Sequence, residues 1–169
     1  RKANQADYGR NVVPTYALDK ADAIVTIGAD FLGTWGDVAV QTTAWSKGRQ
    51  PENGKMSALH AFESVMTLTG SNADRRNMIK PSEAGRVALA LLNGITGGGS
   101  ASDLSESAAA GIAPAVAALK AAGSKGLVVA GSNDPNVQLI VNACNRALGA
   151  YGTTLDLENA WVLGRGDDE

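Results

Sequence analysis

Two strand-terminal turns hold the side chains best suited to chemistry. One is Gly28-Ala29-Asp30, after the β-branched run Ile24-Val25-Thr26-Ile27; the other is Gly131-Ser132-Asn133-Asp134-Pro135, after Leu127-Val128-Val129-Ala130. Glycine at such a position lets backbone approach a ligand, and Asp30 or Asn133 offers an oxygen to a ribose or a base. The same residues also suit a strand that simply has to turn, and no G-x-G-x-x-G fingerprint accompanies them. Glu63 closes a further apolar run, where a dinucleotide-binding domain places an acid for ribose hydroxyls. It lies much further from Gly28 than the ~20 residues of that fingerprint, so a nicotinamide cofactor is not expected. The plain alternative for Glu63 is a solvated carboxylate at a strand end.

His60, the sole histidine, sits between Leu59 and Ala61 with no serine, cysteine or carboxylate at triad-like spacing. It reads as a buried, hydrogen-bonded histidine rather than a general base. Cys144, the sole cysteine, shares a helical face with Ile140, Val141 and Leu148 and reads as a small core hydrophobe. One thiol and one imidazole cannot supply a disulfide, a structural zinc site or a cysteine-ligated iron–sulfur cluster within this chain. Trp35, Trp45 and Trp161 are too dispersed for a stacking row and are expected in packing or at interfaces.

The elements that must position these groups alternate. Ile24 to Ile27, Met56 to Phe62 and Leu127 to Ala130 read as buried parallel strands, with Leu59 to Phe62 the interior part of the second. Val38, Ala39, Thr42 and Trp45 recur at helical spacing, and Gly48 stands where a left-handed cap is expected. Ser64 to Lys80 is polar and aperiodic, a long connection with a short strand at Met78-Ile79. Ser82 is expected to cap a helix from Glu83 to Leu92, with Pro81 barring its backward extension. Ala108 to Ala122 and Asn136 to Leu148 read as further helices, and Leu155 as a short strand. The pattern implies one α/β domain, a parallel, Rossmann-like three-layer sheet wound through right-handed crossovers with helices on both faces. The first and third strands should lie side by side or bracket a crossover point. Gly97 to Ser105 is expected to be the most mobile internal stretch, a flexible insertion.

The 169 residues carry a formal charge of −2, with 15 basic and 17 acidic residues scattered along the chain, so no nucleic-acid or anionic-membrane footprint emerges. The longest apolar stretch, Ala108 to Leu119, is too short for the ~20 residues of a membrane span. The chain opens on Arg1 without a signal pattern and stops on Asp167-Asp168-Glu169 without a turn signal. It is expected to be a domain cut from a larger subunit.

The run Leu18-Asp19-Lys20-Ala21-Asp22-Ala23-Ile24-Val25-Thr26-Ile27-Gly28-Ala29-Asp30 resembles the molybdopterin oxidoreductase family, whose catalytic subunits carry an A-D-x-I-V-x-x-G-A-D/N strand and loop. Phe31-Leu32-Gly33-Thr34-Trp35, Lys55-Met56-Ser57 and Leu68-Thr69-Gly70-Ser71-Asn72-Ala73-Asp74 are most similar to the iron–sulfur subunit of that family in alternative complex III, a quinol-oxidising respiratory complex. Asn145-Arg146-Ala147-Leu148-Gly149 through Thr154 is similar to the family's N-x-x-L-G-x-x-G-x-T stretch.

The resemblance implies a Rossmann-like fold and a site for molybdopterin guanine dinucleotide, with Gly28, Asp30, Glu63, Glu83 and Asn133 as candidate or vestigial contacts. It also implies iron–sulfur clusters elsewhere in the full subunit. The expected partners are the rest of that subunit and its complex, on the periplasmic side of the membrane without direct insertion. Family members that hold the guanosine have Asp-Pro-Arg after the second strand and Pro-Gly-Thr-Asp before the next helix. Here those places read Glu63-Ser64 and Pro81-Ser82-Glu83-Ala84, with no arginine following Glu63 in the sequence. The expectation is a structural domain with a degenerate pterin site and no catalytic or metal-ligating residue. The alternative is the dinucleotide-binding domain of an active molybdenum oxidoreductase.

Overall fold

Every residue of β2 (Ala23–Ile27) is buried, because this β-branched strand has a neighbour on each side and packed side chains on both faces. It pairs in parallel with β3 (Ala58–Glu63) and β5 (Gly126–Ala130), and β3 pairs in parallel with β4 (Arg75–Met78). The order is β4-β3-β2-β5, so the chain's progression across the sheet reverses between β2 and β5. The first and third expected strands thus lie side by side. This computed structural model describes residues 1–99 and 103–161. A second, two-stranded antiparallel sheet joins β1 (Val13–Tyr16) to β6 (Leu155–Trp161).

Period-two alternation divides the core. Ala23, Val25, Ile27, Phe62 and Val128 pack against α4 (Ala84–Thr96), α5 (Glu106–Ala122) and α6 (Pro135–Leu148) through Val87, Leu91, Leu119, Val137 and Val141. Ile24, Leu59, Leu127 and Val129 pack instead with Leu18, Phe31, Leu32 and Leu155, and with half-buried Trp35 and Trp45, the latter on α2 (Val38–Lys47). Each fully buried Leu, Ile or Phe in these clusters contributes about 1.5–3 kcal/mol. α4 forms because Val87 and Leu91, one helical turn apart, share its buried stripe. Pro114 sits inside α5 and removes the helical donor to Ala110, four residues back, at an exposed position of the helix.

Several expectations change. Gly48 is right-handed (φ −76°), since the helix runs directly into a turn whose Gly48 carbonyl accepts from Ser57. Ser82 is not a cap: Pro81–Glu83 is a 3₁₀ turn, and the Glu83 carboxylate accepts the N–H of Lys80. α4 then extends to Thr96. The Ser64–Lys80 connection holds α3 (Leu68–Ser71) and β4, the latter earlier than the expected Met78-Ile79 strand. β5 lies at the end of the four-stranded sheet and is not interior; it reads as interior from its apolar sequence because its outer edge is also covered. α1 (Lys2–Tyr8) and β1 carry too weak a period to be expected from sequence. Residues 100–102 of the expected insertion lie outside the described residues. At its far end Leu104 packs against the core and Ser105 is bonded to Glu83. No helix among the described residues is long and apolar enough to cross a membrane.

Candidate functional site

The carboxyl ends of β2 and β5 meet where the strand order reverses, the place where open α/β sheets bind ligands. Gly28 has φ +64° and leaves β2 exposed on one side. Gly131 presses against it so closely that a Cβ on Gly131 would stand 2.3 Å from the Gly28 carbonyl oxygen. Glycine at 131 therefore serves backbone-to-backbone closure of the two strand ends.

Most amides of the loop after β2 are already engaged. Gly28 donates to Phe62, and Ala29 to the Thr26 hydroxyl. Phe31 donates to Ala29, Leu32 to the Thr69 hydroxyl, and Gly33, Thr34 and Trp35 all to the Asp30 carbonyl. A phosphate cradle needs several free N–H groups converging on one point. Helix N-termini supply no substitute here. Asp37 caps α2 by accepting from Val40 at 3.2 Å, and Asp134 caps α6 by accepting from Asn136 at 2.9 Å, with Pro135 contributing no donor. Each N-terminus that an anion would use already faces a carboxylate.

The expected acids lie near this end of the sheet but turn toward the chain itself. Asp30 Oδ1 accepts the Thr69 N–H at 3.0 Å and the Thr69 hydroxyl at 2.8 Å, tying the loop after β2 to α3. Glu63 is 4% exposed and accepts the Thr67 hydroxyl at 2.6 Å and Arg76 Nε at 2.5 Å. A Cβ on Gly70 would stand 1.8 Å from Glu63 Oε1, so the absence of a side chain there makes room for the carboxylate. Glu83 is 2% exposed and accepts N–H groups of Lys80 at 2.7 Å and Ser105 at 2.5 Å. The Lys80 amide bond, then that of Ser105, holds its carboxyl below the usual carboxylate range. Glu83 thereby clasps the start of α4 to the start of α5. Asn133 is exposed, and its side chain has no hydrogen-bond partner among the described residues.

Spatial proximity also revises the sequence picture of the arginine. None follows Glu63 in the chain, yet Arg76 reaches it from the neighbouring strand β4. Thr67, Thr69, Arg76 and Ser105 were not singled out from sequence. Thr67 had a readable signal, a threonine three residues before Gly70 at a helix start, and its hydroxyl does accept the Gly70 N–H. Arg76 had none, because its partner is set by strand pairing.

His60 is buried, as expected, but its Nδ1 has no hydrogen-bond partner among the described residues. Burial chiefly, with Arg75 nearby, lowers its pKa, and Asp74 opposes this weakly. Cys144 is fully buried with its thiol pushed up to about 12 by burial, which keeps it protonated and unreactive. Trp35 stacks obliquely on Tyr16, and Trp45 meets Phe31 edge-on. No cluster of three or more His, Cys, Asp or Glu suited to a metal ion occurs among the described residues. No protein-family model matches the chain, and no curated protein matches it.

Proposed function

We propose that this chain is the molybdopterin-oxidoreductase-like domain of a subunit in a quinol-oxidising respiratory complex, retained as a structural and docking module with a degenerate pterin site. The observation that carries the reading is the state of the candidate contacts: Asp30, Glu63 and Glu83 each bond within the chain, and most amides after β2 are engaged. Guanosine recognition needs polar groups that are free and convergent, and two lost charge-assisted hydrogen bonds weaken binding by about two to four powers of ten. The order β4-β3-β2-β5 matches half of a doubly wound nucleotide-binding sheet and supports the finer Rossmann-like, three-layer description.

In this reading the domain performs no chemical step. Iron–sulfur clusters and electron transfer belong to the remainder of the subunit, on the periplasmic side of the membrane. Val65, Met66 and Leu68, exposed in the connection after β3, supply apolar surface for that remainder to cover.

The alternative, a working molybdopterin guanine dinucleotide-binding domain, draws on the Glu63–Arg76 pair, an acid and an arginine brought together at the end of β3. That pair is closed on itself and flanked by Thr67, so it does not fit an incoming guanine without rearrangement. Calorimetric titration of the chain with guanine nucleotides tests both. The expected result is no binding at micromolar concentration. Micromolar binding that Glu63→Ala and the milder Glu63→Gln both abolish, in variants folded by circular dichroism, would overturn the proposal.

A further inference from the structure

We propose that the cavity between the outer edge of β5 and α6 is a binding site for one structural water, which bridges the Ala130 N–H to the side-chain oxygens of Asn142 and Gln138.

The ladder fixes which backbone groups need a partner. Gly131 donates its N–H to Ile27, so Val129 and Gly131 face β2 while Val128 and Ala130 face outward. Asn145 satisfies both backbone groups of Val128, and the Ala130 carbonyl accepts Gln138 Nε2 at 2.9 Å. The Ala130 N–H, on a residue only 2% exposed, meets no partner among the described residues. Buried backbone donors are rarely left so, and ordered water is one of their ordinary partners.

The arrangement of α6 shows why the gap falls there. Gln138, Asn142 and Asn145 recur at helical spacing and line one cavity together with Val128 and Ala130. The outer two amides bond the strand edge directly. Asn142, between them, is engaged elsewhere: its Nδ2 donates to Asn4 Oδ1 at 2.9 Å, and Asn4 is in turn held by donating to the Val12 carbonyl.

The cavity measures about 20 Å³, and a water needs roughly 10–15 Å³ and several polar partners. The Ala130 N–H donates to the water oxygen, and its two O–H groups donate to Asn142 Oδ1 and Gln138 Oε1, neither of which accepts a hydrogen bond from the chain among the described residues. Water fits because the site presents a donor and two acceptors at once: a cation would meet the N–H, an anion the two oxygens. Gln138 Nε2 also donates to the Ser132 carbonyl at 2.7 Å, so the water braces the side chain that fixes the start of the turn bearing Asn133.

Water-to-amide cross-relaxation in the native chain tests the site. Ala130 should show a peak whose laboratory-frame and rotating-frame rates have opposite signs, the signature of a bound water, and Val25 in the middle of the sheet should show none. Asn142→Leu, which removes one acceptor and fills the space, should abolish the peak and speed amide exchange at Ala130 by about tenfold. Gln138→Glu keeps an oxygen in place and should retain the peak. Should Asn142→Leu fail to fold, the native measurement decides by itself, and a crystal structure should place a water within hydrogen-bond distance of the Ala130 nitrogen. No bound-water peak at Ala130, a direct hydrogen bond from Ala130 to Gln138 Oε1, or a peak that persists in folded Asn142→Leu would overturn the proposal.

Discussion

The two outer edges of the same sheet solve one physical problem to different extents. Along β5 the outward positions Gly126, Val128 and Ala130 are each met by a side chain. Thr154 donates to the Gly126 carbonyl at 3.0 Å and Gln138 to that of Ala130 at 2.9 Å. Between them Asn145 accepts the Val128 N–H at 2.9 Å and donates to the Val128 carbonyl at 2.8 Å. An asparagine amide has the same donor and acceptor as a peptide group, so Asn145 stands in for a missing strand. β4 turns the backbone groups of Arg75 and Asn77 into the ladder to β3, whose next rung is the Ile79 N–H on the Glu63 carbonyl, and on its outward side only the Met78 N–H is met among the described residues, by the Ser107 hydroxyl at 3.0 Å. One edge is met by a side chain at every outward position, the other at a single amide.

The sharpest way to break this contrast is Arg76→Leu. It leaves the Glu63 carboxylate buried without its cation and should lower unfolding free energy by about 3 kcal/mol, read from urea denaturation. A fall below 1 kcal/mol, on the order of a surface pair, would mean that β4 is not held by this contact.

Next in size, Asn145→Leu should cost about 2 kcal/mol, because it strands the N–H and carbonyl of Val128 in a buried setting. The same variant should speed hydrogen exchange at Val128. An unchanged denaturation midpoint would show that β5 does not depend on its side-chain seal.

A pH profile sharpens the β4 side, where His60 sits in register with Arg75. Its pKa in the folded chain lies below 6.5, so the unfolded chain binds the proton first as pH falls. Its contribution to stability is therefore complete above pH 6.5 and declines as pH drops from there toward the folded-state value. Glu83, held low by its amide bonds, loses its contribution in a separate, more acidic window below 4.5. Replacing His60 with Leu should flatten the first window alone; a profile unchanged by that substitution would remove His60 as its source.

The smallest effect is expected at the start of β4. Arg75→Glu should shift stability by no more than about 0.5 kcal/mol, since the exposed guanidinium has no ion-pair partner among the described residues. A larger loss in thermal denaturation would show that Arg75 supports the fold.

The three buried parallel strands and the helices around Val87, Leu119 and Val141 were legible in the sequence, because β-branched runs and helical periods act over a few residues. So were the glycine turns at Gly28 and Gly131 and the placement of Glu63 at a strand end. Tertiary structure alone decided what those residues face. Glu63 meets Arg76 only because β3 and β4 pair in register, and Glu83 meets Ser105 only because α4 and α5 are packed start to start. Likewise Asn145 reaches Val128 across the turn of α6 onto the sheet, which makes an end strand look interior in composition. Local sequence sets which residues are apolar and where the chain bends. Whether a carboxylate or an edge amide is left free for a ligand depends on non-local partners that only packing supplies.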